Sequence, residues 1–269
     1  MKSVGKYEWS ENYILSQGYD KQAVDKFFRV DKSLICKIEE QVFTKLTKDK
    51  SFDRKCSVFF GQPGAGKSTY MRKNNRFSSY VVLDLDELRK EYPFRDELIT
   101  LIYENHKTHE HAAENTPGRD FTNFTRKFIG ELFDNLFSHC VKLGCNIALQ
   151  KHASEPEKLE NLFKLLNDEG YETELILLIV PGNVSWERCE NRNKQNDMLM
   201  NTVPKSFHDD YVQKIPKAFT DNILYFMMEK SYVKSTEIVS TNNELKIDKN
   251  SKMDYKAIEN YLANCLIGK

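Results

Sequence analysis

The sequence predicts an α/β fold, a parallel sheet with helices on both faces, and three observations carry that reading. Short apolar runs alternate with amphipathic stretches along the chain, the pattern of strand–helix–strand units. One run, Glu174-Leu175-Ile176-Leu177-Leu178-Ile179-Val180, is apolar at consecutive positions, as a central strand covered on both sides requires. A glycine-rich segment, Gly61-Gln62-Pro63-Gly64-Ala65-Gly66-Lys67-Ser68, sits between an apolar run and a helical stretch. The 269 residues are enough for one large domain with appendages. The expected division is an N-terminal helical extension, 1–50, packed on a core domain, 51–269, with an inserted helical segment around 104–130.

Residues 32–47 set Leu34, Ile35, Ile38, Val42, Phe43 and Leu46 at helical spacing. A polar link then leads to Cys56-Ser57-Val58-Phe59-Phe60, a buried strand, and a helix starts near Lys67. Tyr80-Val81-Val82-Leu83 is a second strand, ending in Asp84-Leu85-Asp86. Residues 95–113 are helical in pattern. Asn115-Thr116-Pro117-Gly118 is expected to interrupt, because proline removes a donor and glycine favours a turn. A long helix over 120–143 carries Phe121, Phe124, Phe128, Leu132, Leu136 and Val141, and Cys145-Asn146-Ile147-Ala148-Leu149 is a third strand. Ser154-Glu155-Pro156-Glu157 opens a helix with capping-box spacing. Pro181-Gly182-Asn183 breaks the strongest strand, and the helix after it bears Trp186, Arg188 and Arg192. Pro204 starts a helix that Pro216 is expected to interrupt. Thr236-Glu237-Ile238-Val239 is a last strand, and 253–266 a closing helix.

The 40 basic and 40 acidic residues cancel, so no overall charge draws the chain to nucleic acid or acidic membranes. Basic residues are not interleaved with aromatics as a nucleic-acid stripe requires. Six cysteines form no CxxC pair and read as free thiols of a reducing cytoplasm. No apolar run follows the charged N-terminus, and none approaches the ~20 residues of a membrane span. A secretion system that reads other signals is compatible with the same sequence.

The spacing G-x-x-x-x-G-K-S is complete at 61–68, with a strand before and a helix after. Backbone N–H groups of such a loop, here Gly61 through Thr69, point at phosphate oxygens, and the helix N-terminus adds partial positive charge. Lys67 supplies a point charge between the β- and γ-phosphates, and the Ser68 hydroxyl faces Mg2+. The expected ligand is therefore ATP or GTP with magnesium. Asp84 and Asp86 stand two apart at the carboxyl end of a strand and should project to one side. One carboxylate would help hold the metal while the other takes a proton from an attacking hydroxyl. Position alone equally allows Asp86 to be the N-cap of the helix that follows; the phosphate loop upstream favours the functional reading.

These segments resemble the zeta toxin family of P-loop kinases. The resemblance rests on the loop, on Val82-Leu83-Asp84-Leu85-Asp86 with Pro93 following, on Gly170-Tyr171-Glu172-Thr173 before a strand ending in Val180-Pro181, and on Arg192. It implies a P-loop kinase-like fold and transfer of a phosphoryl group from ATP or GTP to a sugar hydroxyl of UDP-N-acetylglucosamine, with an antitoxin as partner in many members. On that resemblance Asp86 is the catalytic base, Lys67 and Arg192 hold the transferred group, and Asp134 contacts the acceptor. The sequence departs from the family after the third strand. Gln150-Lys151-His152 stands where Glu-Gly-Thr is expected, with His152 taken as a second acceptor residue, and Asn201 stands where a second phosphate-binding arginine belongs.

Arg188, four residues before Arg192, reads as part of a solvated face with Glu187 and Glu190, or as a replacement for that second arginine. His106, His109 and His111 lack the spacing of a zinc site and read as a surface helix beside the acceptor cleft. The leading expectation is a kinase acting on a small-molecule acceptor such as a nucleotide sugar. The alternatives are a kinase on a dinucleotide or nucleic-acid end, and a nucleotide-binding module that acts through a partner.

Overall fold

The computed structural model describes residues 7–112, 115–151, 156–194, 203–224, 230–240, 244–248 and 254–268. The chain begins with helices α1 (Glu8–Ser16) and α2 (Lys32–Thr47), followed by β1 (Lys55–Phe60), α3 (Lys67–Lys73), β2 (Val81–Leu83) and a short α4 (Leu85–Leu88). Helices α5 (Arg95–Thr108) and α6 (Pro117–Leu143) precede β3 (Ile147–Gln150), α7 (Pro156–Asp168) and β4 (Glu172–Leu178). Then come α8 (Gly182–Lys194), α9 (Lys205–Ala218), β5 (Ser235–Val239), β6 (Glu244–Asp248) and α10 (Tyr255–Ile267).

The strands form a sheet in the order β2-β3-β1-β4-β5-β6. The first five strands are parallel to their neighbours, and β6 is antiparallel at the edge. The central strand is β1, where Val58 pairs with Leu149 on one side and Leu175 on the other. Val58 and Phe59 point to opposite faces and both are fully buried, so the sheet is covered on both sides. The chain leaves β1 where the strand order reverses, which is where α/β sheets bind ligands.

The chain divides into two compact units. One comprises 47–83, 139–190 and 203–269 and contains the whole sheet. On one of its faces Phe59, Met71, Phe77, Ala148, Ile176 and Leu178 cluster with Tyr80 and Val180. The Phe59 and Phe77 rings meet edge to face at 5.1 Å. Polar bonds secure the segment that follows the glycine-rich loop. Arg76 donates to Glu237 at 3.0 Å and also to Glu174, while the Tyr70 hydroxyl donates to Glu237 at 3.1 Å. These two glutamates lie on β4 and β5, so α3 is tied to the sheet by charge as well as by packing.

The other unit comprises 1–46, 84–138 and 191–202 and is helical. Its core is the stripe of α6, where Phe121, Phe124, Phe128 and Leu132 are all but inaccessible to solvent. Tyr92 meets Phe128 at 5.4 Å and Tyr19 meets Phe124 at 4.9 Å, both edge to face. Asp120, fully buried, accepts hydrogen bonds from Tyr13 at 2.9 Å, Tyr19 at 2.7 Å and His106 at 2.9 Å. Three donors satisfy a carboxylate that would otherwise be costly to bury.

Several expectations are corrected. Pro117 opens α6 instead of interrupting it, because the first helical position leaves its N–H without a partner in any case. Pro216 lies inside α9, buried beside Ile215, and the chain goes on into a wider helical turn at Phe219–Leu224. Packing of this segment outweighs the one missing donor. Helix α5 ends at Thr108, and the antiparallel β6 lay outside the sequence reading. No helix among the described residues is long and apolar enough to cross a membrane.

Phe59→Ala should lower unfolding stability by about 3–5 kcal/mol, the usual cost of emptying a fully buried aromatic site. A urea titration of the purified chain measures it.

Candidate functional site

Strand β1 delivers the chain to Gly61, and helix α3 begins six residues later at Lys67. Between them the loop is packed too closely for side chains. A Cβ on Gly61 would run into the Leu178 carbonyl oxygen, and one on Gly64 into the Ser185 carbonyl oxygen. Both residues have positive φ, 138° and 78°, which L side chains rarely adopt. Gln62 turns inward, fully buried, and its amide donates to the Val180 carbonyl at 2.5 Å. Ala65 is buried, while Pro63, Gly66 and Ser68 are half-buried and Thr69 is exposed.

Lys67 folds back into the loop, its Nζ 2.8 Å from the Gly61 carbonyl and 3.1 Å from that of Gln62. The ammonium is thereby held inside the curve of backbone N–H groups. The Ser68 hydroxyl accepts a hydrogen bond from the Gln150 amide at 2.9 Å. Gln150 ends β3, next to β1 in the sheet, and so stands beside the loop although its sequence position gave no hint of Ser68 as its partner.

Arg188 is the residue the sequence reading undervalued. Its guanidinium donates to the Gly64 carbonyl at 3.2 Å, and it lies 3.8 Å from where a Cβ on Gly66 would be. Two contacts hold this part of α8 in place. Ser185 Oγ is 2.8 Å from His208 Nε2 on α9, and the Trp186 ring packs edge-on against the same imidazole at 5.5 Å. A Gly64 without a side chain and a fixed α8 together place Arg188 on the loop. No spacing rule links residue 64 to residue 188.

Asp84, Asp86, Asp134 and Arg192 lie in the helical unit. Strand β2 stops at Leu83, so the two-residue alternation does not extend to Asp84 and Asp86. Asp84, not Asp86, is the N-cap: it is buried and accepts the Asp86 backbone N–H at 2.9 Å. Asp86 sits in the first turn of α4 and pairs with Arg89 one turn later. Burial pushes the Asp86 carboxyl above its ordinary range despite the opposing Arg89 guanidinium. The neighbouring Asp84 adds to the rise and Arg192 opposes it. Arg192 is thus close enough for its charge to act on Asp86, and its Nε is buried with no hydrogen-bond partner among the described residues. Asp134 lies exposed on α6, outside the groups that chiefly set the charge of Asp86. His152 lies outside the described residues.

The histidines form a cluster after all. His106, His111 and Asp120 offer ligand atoms within 4.8 Å of one another. The two imidazoles, however, stack in nearly parallel planes 3.8 Å apart, so their lone pairs run side by side instead of converging. With Asp120 already accepting three donors, the cluster is a hydrogen-bonded tie to Tyr13 and Tyr19.

A glycine-rich loop at the carboxyl end of the central strand of a parallel sheet defines a P-loop kinase-like fold. The zeta toxin family model matches residues 40–250, and the chain belongs to the zeta toxin family, whose members are kinases. It is 25% identical over 161 residues to toxin PezT of Streptococcus pneumoniae serotype 4 (strain ATCC BAA-334 / TIGR4), a match that spans 58% of each chain. Among solved structures it resembles that of the PezAT chromosomal toxin-antitoxin system of Streptococcus pneumoniae, with a TM-score of 0.67 at 20% identity over 89% of each chain. It also resembles the AvrRxo1-ORF1:AvrRxo1-ORF2 complex solved with ATP, with a TM-score of 0.57 at 12% identity over 97% of this chain and 78% of that one.

The raised pKa of Asp86 has a definite sign for stability. The folded state disfavours the ionised carboxylate, so the contribution of Asp86 is greatest below its unfolded pKa and falls as pH rises through the folded value. Asp86→Asn should therefore gain stability relative to the parent chain between pH 4 and pH 7. Melting temperatures that differ by a constant amount across that range would overturn the assignment.

Proposed function

We propose that the chain is a kinase that moves the γ-phosphoryl group of ATP or GTP to a hydroxyl of a small molecule, with UDP-N-acetylglucosamine or another nucleotide sugar as the first acceptor to test. The observation that carries this reading is an intact phosphate loop in a chain that also holds a carboxylate, Asp86, at raised pKa between two arginines. Pure nucleotide binding requires no such group.

In this reading backbone N–H groups between Gly61 and Thr69 bind the nucleotide phosphates, apart from Pro63, which has none, and Ala65, whose N–H donates to the Gln62 carbonyl. Lys67 exchanges two loop carbonyls for phosphate oxygens, and Arg188 adds a second cation on the same loop. Asp86, ionised, accepts the proton of the attacking hydroxyl, which favours a pKa nearer neutrality than an ordinary aspartate has. Arg192 offsets charge on the transferred group. The donors proposed for magnesium, the Ser68 hydroxyl and the Asp84 carboxylate, are hard oxygens, and the Gln150 amide is a neutral neighbour. That set suits an ion that takes most of its charge balance from phosphates. When bound, magnesium would neutralise charge on the β- and γ-phosphates.

The named relatives belong to or resemble a toxin-antitoxin system, which supports an antitoxin as the protein partner of this chain. A second reading, a nucleotide-binding module that acts through such a partner, draws support from Gln150. An uncharged amide on Ser68 gives the metal less help than a carboxylate would.

Incubation with ATP, magnesium and a metabolite extract, followed by mass spectrometry, should reveal a phosphorylated product. Lys67→Ala and Asp86→Asn should abolish it while leaving the far-ultraviolet circular dichroism unchanged. Product formed at the parent rate by Asp86→Asn would remove the assigned base, and tight ATP binding without product from any extract would favour the second reading. Arg188→Ala should weaken ATP binding about 10- to 100-fold, the range for losing a hydrogen bond to a charged group. Calorimetry of the variant with ATP and magnesium measures that loss.

A further inference from the structure

One hydrogen-bonded chain runs from the protein surface to the phosphate loop, and it lies wholly within the unit that contains the sheet. Its outer end is Asp209 on α9, which accepts from Lys205 Nζ at 2.8 Å. The other neighbour of Asp209 is His208, whose Nδ1 is 3.2 Å from the carboxylate. Hydrogen bonds from Lys205 and then His208 hold the Asp209 carboxyl below its ordinary range, so it is an ionised acceptor. An acceptor there keeps the imidazole proton on Nδ1 and leaves a lone pair on Nε2. The Ser185 hydroxyl, 2.8 Å from Nε2, then donates to it. His208 is 1% exposed and Ser185 is fully buried, so water does not compete for that bond. Lys205 also lies over the Trp186 ring at 5.1 Å, and that ring packs against the imidazole.

The inner end of this chain is where α8 touches the loop. The Ser185 carbonyl occupies the space that a Cβ on Gly64 would need, and Cys189 Sγ lies 3.1 Å from the same point. Arg188 follows Ser185 by three residues, so the two are neighbours on one face of the helix. The Arg188 side chain is exposed. Its reach to the Gly64 carbonyl is therefore set by the path of the helix backbone and not by packing around the guanidinium. We propose that His208, oriented by Asp209, is a positioning residue for the nucleotide site: through Ser185 it fixes the turn of α8 that sets Arg188 on the phosphate loop. This rests on the reading of Arg188 as a second cation for the nucleotide phosphates. His208 acts on the ligand only through that arginine. Its loss should cost less than loss of the arginine, and nothing once the arginine is gone.

The probe is ATP with magnesium, titrated by calorimetry into the full chain and its variants. His208→Leu removes the acceptor and keeps an apolar side chain in the buried site. The Ser185 hydroxyl then turns to the Gly182 carbonyl, 3.0 Å away, so no polar group is stranded. This variant should bind ATP about 3- to 10-fold more weakly, the range for one hydrogen bond. Ser185→Ala, which removes the other partner, should lose the same amount, and the two changes together no more than either. His208→Gln, whose amide reaches the place of Nε2, should recover most of the parent affinity. Added to Arg188→Ala, His208→Leu should cause no further loss. Unchanged far-ultraviolet circular dichroism shows that the variants are folded. Parent affinity in both His208→Leu and Ser185→Ala overturns the inference. So does an additive loss on top of Arg188→Ala, or a His208→Gln variant no better than His208→Leu. If Arg188→Ala binds ATP as tightly as the parent, the reading of Arg188 fails and this inference falls with it. If Arg188→Ala loses affinity and His208→Leu does not, the reading of Arg188 stands and only the role of His208 falls.

Discussion

The geometry of the phosphate loop depends on how closely its backbone approaches the segments around it. Gly61 lies under the Leu178 carbonyl and Gly64 under that of Ser185, with no room at either point for even a methyl group. Two contacts thus bound the loop, one from the end of β4 and one from α8. The buried amide of Gln62, held by Val180, adds a third. A loop confined in this way keeps its N–H groups aimed without relying on the ligand to order them. The same approach brings Arg188 onto the Gly64 carbonyl, so a packing constraint also supplies a cation.

The helical unit solves a different problem, that of burying charge. Asp120 is fully buried and satisfied by two tyrosines and a histidine, so it serves as a tie between α1, α5 and α6. Asp86 is treated differently. Its partner Arg89 is itself buried and shared, Asp84 stands beside it, and the balance leaves the carboxylate less stable ionised than in water. Two carboxylates in one unit thus differ in their surroundings. The first holds helices together, and the second is a carboxyl whose ionised form burial disfavours.

Membership of the zeta toxin family fits the parallel sheet and the loop, and the contacts around the loop come from this chain's own residues. Gln150, on the Ser68 hydroxyl, is one such residue beside the loop. Its amide is neutral, so the serine has an uncharged donor as its neighbour.

Local pattern alone was enough for the five parallel strands, the long α6 and the phosphate loop. Apolar runs, helical spacing and a glycine-rich motif are properties of neighbouring residues. It misjudged Pro117 and Pro216 because the effect of a proline depends on whether its position needs a donor and on how much the surrounding side chains bury. It placed Asp84 and Asp86 on one strand edge, whereas the strand stops a residue earlier and the pair divides into a cap and a first-turn carboxylate. Arg188 over Gly64 and Gln150 on Ser68 join residues 124 and 82 positions apart. Those partnerships come from close packing and shared burial, which exist only once the chain has folded. The sequence by itself determined where phosphate can be bound; tertiary structure decided which charges surround that capacity, because a charge acts on whatever lies near it in space and not on its neighbours in the chain.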